Sequence, residues 1–554
     1  FFFFLYLFTA TTSESPNIIF ILADDLGFNE LGFMNKTRGI LTPNLDLLAE
    51  QGVILKNYYV NPICSPTRSA FMTGRYTHRL GTQSNVIFWD TPWAIDSNET
   101  FFPQNLQDAN YSTAMFGKWH LGMFKEAYTP MSRGFDEHMG YYQGCGSKWT
   151  HVASCCKAHT PTKDQHYVCP APKSSNFRFW EDIVAKDYRG YDWFASGPFP
   201  NSGKSVPDLT VNTTNSATLI KNAAKDFIER SAKAPDAKPF FLYLPFQNIH
   251  GPYCSDPAFR ELYKNDSRLS EDEKTIWGDI SELDAAVGEI VATLKLTGKY
   301  ANTWILFSSD NGAPPAGAKV DHQTGKNPGW IARNYPLRGF KSLIWEGGTR
   351  VPGFVHSPLL PTNVQGTSND KLYHITDWLP TIVGLAGGTT HRNRALDGFD
   401  MLPSLLQKNT PSSRTDMVYG FNPLCHQGQA GAPKAAVRIG DFKLLTWCYS
   451  VKGIGGATVT GPVACPADEE SCDPEFKKGP VLYDLSVDIS ETTNVVSKHP
   501  DVVAAGLTML QQQASQMVEP MQWTPPYQGD QYFCKDCPLR PATNDPSKPW
   551  SPWL

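Results

Sequence analysis

The chain has 554 residues, enough for a large core and for more than one domain. With a formal net charge of -5 and 19% charged residues, it lacks the basic footprint of a nucleic-acid-binding protein. Aromatic residues make up 12%, with 15 Trp, which suits stacking on sugars or aryl rings and equally suits a large folded interior.

The opening run F-F-F-F-L-Y-L-F-T-A-T-T-S has the apolar core and small-residue end of a signal peptide, so residues 1–15 read as its remnant. It is too short to span a bilayer, and no later stretch reaches about 18 consecutive apolar residues. Asn17 to Asp25 is a continuous apolar run closed by two carboxylates, the pattern of a buried parallel strand that presents Asp24 and Asp25 at its carboxyl end. Ligands of open α/β sheets gather at that edge. Thr42-Pro43 opens a helix with Leu45, Leu48 and Ala49 on one face and Gly52 at its end.

Next comes N-P-I-C-S-P-T-R-S-A-F-M-T-G-R-Y, residues 61–76. Ser65 reads as an N-cap with Pro66 at the first helical position and Gly74 as the stop, which places Cys64 just ahead of a short helix. Arg68 lies about one turn on and reaches the space in front of Cys64. From Tyr111 to His120 a short strand carries Lys118 and His120 two residues apart, on one side if the extended backbone continues. Residues from about Gly140 to Pro207 are rich in Gly, Pro, Cys and Trp and lack periodicity, as in an irregular insertion over the site.

A helix over about 215–233 precedes the strand 239–245, and His250 follows just past that strand's end. Ser270 and Glu273 form a capping box for a long helix that stops near Gly298. The strand from Thr303 then delivers Asp310 and Asn311. A loop carrying Lys341 and another strand over 349–356 follow, then a helix over 374–384. The boundary of the larger first domain, residues 16–405, falls between Gly398 and Ser413. Residues 406–522 read as a smaller α+β domain with strand-like pieces at 436–447 and 481–485 and a helix over 501–517. Residues 523–554 are a Pro- and Cys-rich tail.

Twelve cysteines agree with an oxidising compartment. Cys465 with Cys472, Cys534 with Cys537, and Cys155 or Cys156 with Cys169 are close candidate disulfides; zinc is the rival reading for Cys534-x-x-Cys537. Glycosylation sequons occur at Asn35, Asn98, Asn110, Asn212 and Asn265. Asp24, Asp25, Asp310 and Asn311 offer only hard oxygen ligands, which suits calcium or magnesium rather than zinc or iron.

The run P-I-C-S-P-T-R-S-A-F-M-T-G resembles the first signature of the type I sulfatases, whose Cys in C-x-P-x-R becomes formylglycine during secretion. Y-S-T-A-M-F-G-K-W-H is similar to their second signature and departs from it where Asn110 replaces a Gly. The runs D-D-L-G-F-N, P-L-R-G-F-K-S-L-I-W-E-G-G and H-I-T-D-W-L-P-T look most like the arylsulfatase B group with its I and J relatives, over about 17–496. The resemblance implies an alkaline-phosphatase-like α/β fold with a mostly parallel sheet flanked by helices, and a smaller C-terminal domain on an antiparallel sheet. It implies one calcium ion held by Asp24, Asp25, Asp310, Asn311 and the modified Cys64. In its terms one hydroxyl of the aldehyde hydrate attacks sulfur and the other later expels the sulfate. Arg68 steadies that residue, Lys118 and Lys341 bind sulfate oxygens, His120 assists expulsion and His250 protonates the leaving oxygen. A lysosomal pH would keep His250 charged.

The expected substrate is a sulfated carbohydrate or aryl sulfate, with the group's 4-sulfate of N-acetylgalactosamine foremost; the expected partner is the formylglycine-generating enzyme, and the expected location is secreted or lysosomal. Two rivals stand beside this reading. A phosphatase or phosphodiesterase on the same fold needs a Ser or Thr nucleophile and zinc ligands, and a catalytically silent binder of sulfated glycans needs none of the catalytic set.

Overall fold

The computed structural model describes residues 14–521 apart from 88–92, 150, 154–189, 192, 196–205, 208–210, 212–213, 315–332, 391–393, 425–432, 455–456 and 466–473. The leader to residue 13, Cys155, Cys156, Cys169, Cys472, Cys534, Cys537, the sequon at Asn212, most of the 140–207 insertion and the tail from residue 523 lie outside the described residues.

Ten strands form one sheet: β1 Asn17–Ala23, β2 Val53–Tyr59, β3 Ser112–Lys118, β4 Glu137–Tyr141, β5 Phe194–Ala195, β6 Val206–Pro207, β7 Phe240–Pro245, β8 Thr303–Ser309, β9 Gly353–His356 and β10 Thr367–His374. Their spatial order is β10-β2-β9-β8-β1-β7-β3-β4-β5-β6. The central five, β8-β1-β7-β3-β4, are all parallel. β9 runs against both of its neighbours, and β5 and β6 add an antiparallel edge.

β1 shows why the centre is buried on both sides. Ile18, Phe20 and Leu22 enter one apolar cluster, and Ile19, Ile21 and Ala23 enter the other, so the continuous apolar run faces packed layers above and below. The helices Ser216–Lys233 and Glu271–Leu296 cover the second cluster's face, and the helix Trp378–Leu385 packs on the first. The capping box forms as read: Ser270 Oγ accepts from the Glu273 amide at 3.3 Å and Glu273 Oε2 accepts from the Ser270 amide at 2.8 Å.

A second, antiparallel sheet holds β11 Asp416–Tyr419, β12 Ala435–Ile439, β13 Phe442–Thr446 and β14 Val481–Asp484, in that order. The helix Pro500–Ala514 covers one face through Leu510 and Ala514. The 349–356 segment is shorter as a strand than its sequence suggests, because a turn of helix, Glu346–Thr349, takes up its start. β2, β4, β10 and β11 have no counterpart in the sequence reading, and β5 and β6 lie within the stretch read as irregular. Among the described residues, no helix is long and apolar enough to cross a membrane.

Candidate active site

Four adjacent parallel strands deliver the site. Asp24 and Asp25 follow β1, Asp310 and Asn311 follow β8, Lys118 ends β3, and His250 lies five residues beyond β7. Consecutive residues of a strand point to opposite faces, so Asp24 and Asp25 would separate if β1 ran on. Asp25 instead turns into the left-handed region at φ +65°, and both carboxylates serve one cluster. The Asp24 amide donates to Asn248 O at 2.9 Å and the Ile249 amide to Asp24 O at 2.7 Å, which fixes the turn against the loop carrying His250.

Cys64 is the first residue of the helix Cys64–Thr73 rather than the residue before it. Ser65 is not the cap: its hydroxyl donates to His120 O at 2.9 Å and accepts from the Ile87 amide at 3.0 Å, tying the helix start to two other loops. The Cys64 thiol points to Asp24 Oδ1 at 3.9 Å. Burial pushes that thiol up to about 12 despite the opposing Lys118 and Lys341, so an unmodified Cys64 carries no thiolate at neutral pH.

The cations and acids interleave. Lys118 Nζ lies 2.7 Å from Asp24 Oδ2, and Lys341 Nζ lies 2.7 Å from Asp25 Oδ1. Arg68 grips Asp310 Oδ2 through Nε at 3.2 Å and Nη2 at 2.8 Å and donates through Nη1 to Lys118 O at 3.0 Å. Burial works to raise Asp25, but Lys341 and His250 outweigh it and hold the carboxyl well below the usual range. Burial and then the Asp24 carboxylate raise Asp310.

Asp24, Asp25, Cys64 and His250 each present a ligand atom within 4.8 Å of the others. Asp310 Oδ1 accepts from the Asp25 amide at 3.1 Å, and Asn311 Nδ2 donates to Asp25 Oδ1 at 2.7 Å. Asn311 Oδ1 is buried with no protein partner. A set of carboxylates plus an orphaned amide oxygen fits a hard divalent cation.

His120 arrives by a different route from the one alternation suggests. β3 ends at Lys118, and His120 takes φ +58°, held by its amide on Tyr142 O at 3.0 Å. Its Nδ1 is buried without a partner, and its ring lies so close to Gly144 that a Cβ there would meet Cε1 at 2.4 Å. Burial, then Lys118 and Arg68, push His120 well below its ordinary value. His250 Nδ1 lies 2.6 Å from Gly251 O, which assigns the proton to Nδ1, and Nε2 lies 3.7 Å from Asp25 Oδ2. Burial and Lys341 pull it down to about 3, so the unliganded His250 is neutral at lysosomal pH, contrary to the expectation from its ordinary value.

Two supports went unread in the sequence. Arg333 donates to Asp25 O at 3.0 Å and pairs with Glu30 at 2.6 Å, and Asn248 Nδ2 donates to Asp279 Oδ1 at 2.7 Å behind the Asp24 turn. Neither carries a motif; both are defined by partners distant in sequence.

The sulfatase family model matches residues 16–388. The chain belongs to the sulfatase family. It is 31% identical to arylsulfatase J of Mus musculus, over 98% of this chain and 81% of that protein. It is 28% identical to N-acetylgalactosamine-6-sulfatase of Mus musculus, over 94% and 92%. Among solved structures it is similar to Ps i-CgsB in complex with k-i-k-neocarrahexaose, with a TM-score of 0.69, 26% identity, and 92% and 94% of the two chains covered. This sulfatase is a hydrolase of sulfuric esters.

Proposed function

We propose that this sulfatase releases sulfate from N-acetylgalactosamine sulfate within a sulfated carbohydrate, using a formylglycine formed from Cys64 and one calcium ion. The observation that carries the reading is the pair of ammonium groups, Lys118 at 2.7 Å from Asp24 and Lys341 at 2.7 Å from Asp25, both near enough to Cys64 for their charge to act on its thiol. The relative named for the 6-sulfate supports the sugar. The resemblance to the arylsulfatase B group favours position 4.

Asp24, Asp25, Asp310, Asn311 and position 64 would hold the calcium ion, which when bound supplies positive charge to a sulfate oxygen. The formylglycine hydrate supplies the attacking hydroxyl that a thiol buried at a value of about 12 does not. Lys118 and Lys341 then bind sulfate oxygens as fixed donors, a preorganised arrangement that resists the reorganisation water would impose. Arg68 opposes the rise that burial and Asp24 impose on Asp310 and ties the helix of residue 64 to the end of β3. His120, neutral and with Nδ1 unpartnered, accepts a proton from position 64. With substrate bound, His250 takes up a second proton on Nε2, opposite the Nδ1–H held by Gly251 O, and gives that proton to the leaving oxygen. The negative charge of a bound sulfate offsets Lys341, the neighbour that helps hold His250 down in the free enzyme.

Four described cysteines, Cys145, Cys254, Cys448 and Cys465, are disulfide-bonded, and Cys64 is the free one among the described residues, which supports passage through an oxidising compartment. The formylglycine-generating enzyme would act there. The test is sulfate release from matched 4- and 6-sulfates of N-acetylgalactosamine by the wild type and by Cys64→Ala. The wild type is expected to favour the 4-sulfate, and Cys64→Ala to lose activity by more than ~1,000-fold with its melting temperature retained. Retained activity in the variant would sink the nucleophile assignment.

A further inference from the structure

Behind the two histidines of the site lies a buried knot of polar side chains anchored on the helix Glu271–Leu296. Asp279 on that helix is fully enclosed, as are Lys148 and Asn248. Asp279 Oδ2 pairs with the Lys148 ammonium, and Asp279 Oδ1 accepts from Asn248 Nδ2 at 2.7 Å. Asn248 Nδ2 also reaches Glu282 Oε2, about one turn further along the helix, at 3.1 Å. A carboxylate taken out of water needs such partners, and with one oxygen ion-paired and the other hydrogen-bonded it has little freedom to turn.

Each partner of Asp279 belongs to a segment that places a histidine. Asn248 lies two residues before His250, and the His250 amide donates to Gln247 O at 2.8 Å, which closes a tight turn around Asn248. Lys148 ends the stretch that leaves β4. Along that stretch Tyr142 O accepts from the His120 amide at 3.0 Å and Gly144 lies against the His120 ring. The two segments also meet directly, Gln247 Nε2 donating to Gly146 O at 2.6 Å, and the Asp256 amide fixes the far end of the His250 loop to Glu282 Oε1 at 3.2 Å. The His250 ring is tied to its own loop, Nδ1 to Gly251 O at 2.6 Å, so the aim of Nε2 follows from where that loop is anchored.

We propose that Asp279 is a positioning residue for the reaction: by gripping Asn248 and Lys148 at once it fixes the His250 loop against the segment that backs His120, and so aims His250 Nε2 at the leaving oxygen. The inference rests on the proton-donor role of His250 given above. Asp279 acts through those two segments rather than on the substrate.

The experiment measures kcat/KM on a series of aryl sulfates, from phenyl to 4-nitrophenyl, for the wild type, Asn248→Ala, the double variant Lys148→Met, Asp279→Asn, and His250→Gln. A phenolate needs the donated proton to leave, whereas a 4-nitrophenolate leaves almost without it. The double variant removes both charges of the pair together, and Asn248→Ala, which strands no ion, carries the test should the double variant fail to fold. Both are expected to lose ~10-fold or more in kcat/KM on phenyl sulfate while staying within about 3-fold of the wild type on 4-nitrophenyl sulfate. A loss that is uniform along the series, as a general loosening of the fold would give, or no loss at all, in either folded variant overturns the positioning role. His250→Gln tests the reading beneath it. A steep dependence on the leaving group there, with a flat one in the other variants, overturns the inference alone; a flat dependence in His250→Gln overturns the proton-donor role and the inference with it.

Discussion

Asn110 occupies φ +64°, at the tight turn just before β3 where the second signature has a glycine. Asn tolerates the left-handed region better than other L residues, which is why the substitution leaves the turn intact. Asn110→Gly is therefore expected to be near neutral and Asn110→Ala to cost ~1 kcal/mol in urea unfolding. Both remove a sequon on an exposed residue, so Ser112→Ala, which removes only the sequon, is the control. Equal stability of the Ala and Gly variants would show that the backbone is not under this constraint. Gly144 matters at the chemistry itself. A methyl group there meets the buried His120 ring at 2.4 Å, so the ring must shift. Gly144→Ala is expected to lower kcat on an aryl sulfate by on the order of 100-fold with the fold retained, since displacements of about 1 Å at a reacting group cost that much. Unchanged kcat would place His120 outside the reaction. The residue types of the site were legible because each stands in a short run; the backbone that aims them was not. Left-handed turns at Asp25 and His120 replace simple strand alternation, and nothing in their own letters announces a positive φ.

The helix Pro43–Gln51 begins at Thr42, whose side chain makes no capping bond. Its free amides are met from another element: Asp284, on the helix Glu271–Leu296, accepts from the Leu45 amide at 2.7 Å and from Asn44 Nδ2 at 2.7 Å. Burial pushes Asp284 up to about 6, against these hydrogen bonds. Between about pH 4 and pH 6 the folded chain thus keeps a proton that the unfolded chain has released, so this group's contribution to stability falls as pH rises through that window, by up to ~3 kcal/mol. In Asp284→Asn the slope disappears. The melting temperature of the variant relative to wild type is expected to climb between pH 4 and pH 7; a difference that stays constant with pH would refute the shift. Such a cap is invisible in sequence because its two partners are about 240 residues apart. The helix itself was legible from Thr42-Pro43, Leu45, Leu48 and Gly52, whereas Ser65-Pro66 misled: an apparent cap signal serves as a tertiary tie between the nucleophile helix, His120 O and Ile87.

At the scale of the molecule, the two sheets share a core. Tyr59 from the first and Phe340, Ile344 and Trp345 from the loop carrying Lys341 pack in one cluster with Met417, Tyr419, Ala436 and Tyr483 from the second. Within the parallel centre β1, β7 and β8 were legible because strands buried on both faces must be apolar throughout, whereas β4, E-H-M-G-Y, was not. β2, with burial that alternates unevenly, and β11, only four residues long, lack that signature. The joint is pinned by Lys443 on β13, whose ammonium lies 3.0 Å from Glu346 Oε1 and 2.8 Å from Glu491 Oε1, all three fully buried. Glu346 opens the helical turn that follows the Lys341 loop, and its amide donates to Glu491 Oε2 at 2.7 Å. Removing the cation strands two buried carboxylates, which costs far more than the pair's net worth, so Lys443→Met is expected to lose ~3–5 kcal/mol. The triple variant Lys443→Met, Glu346→Gln, Glu491→Gln removes all three charges of the triad, leaving Arg350, 3.5 Å from Glu346, without that carboxylate, and is expected to recover part of that loss while remaining active. If the single variant were as stable as wild type, the triad would not be the latch between the sheets. If the triple variant regained stability but not sulfate release, the latch would be needed to aim Lys341 rather than merely to hold the joint closed.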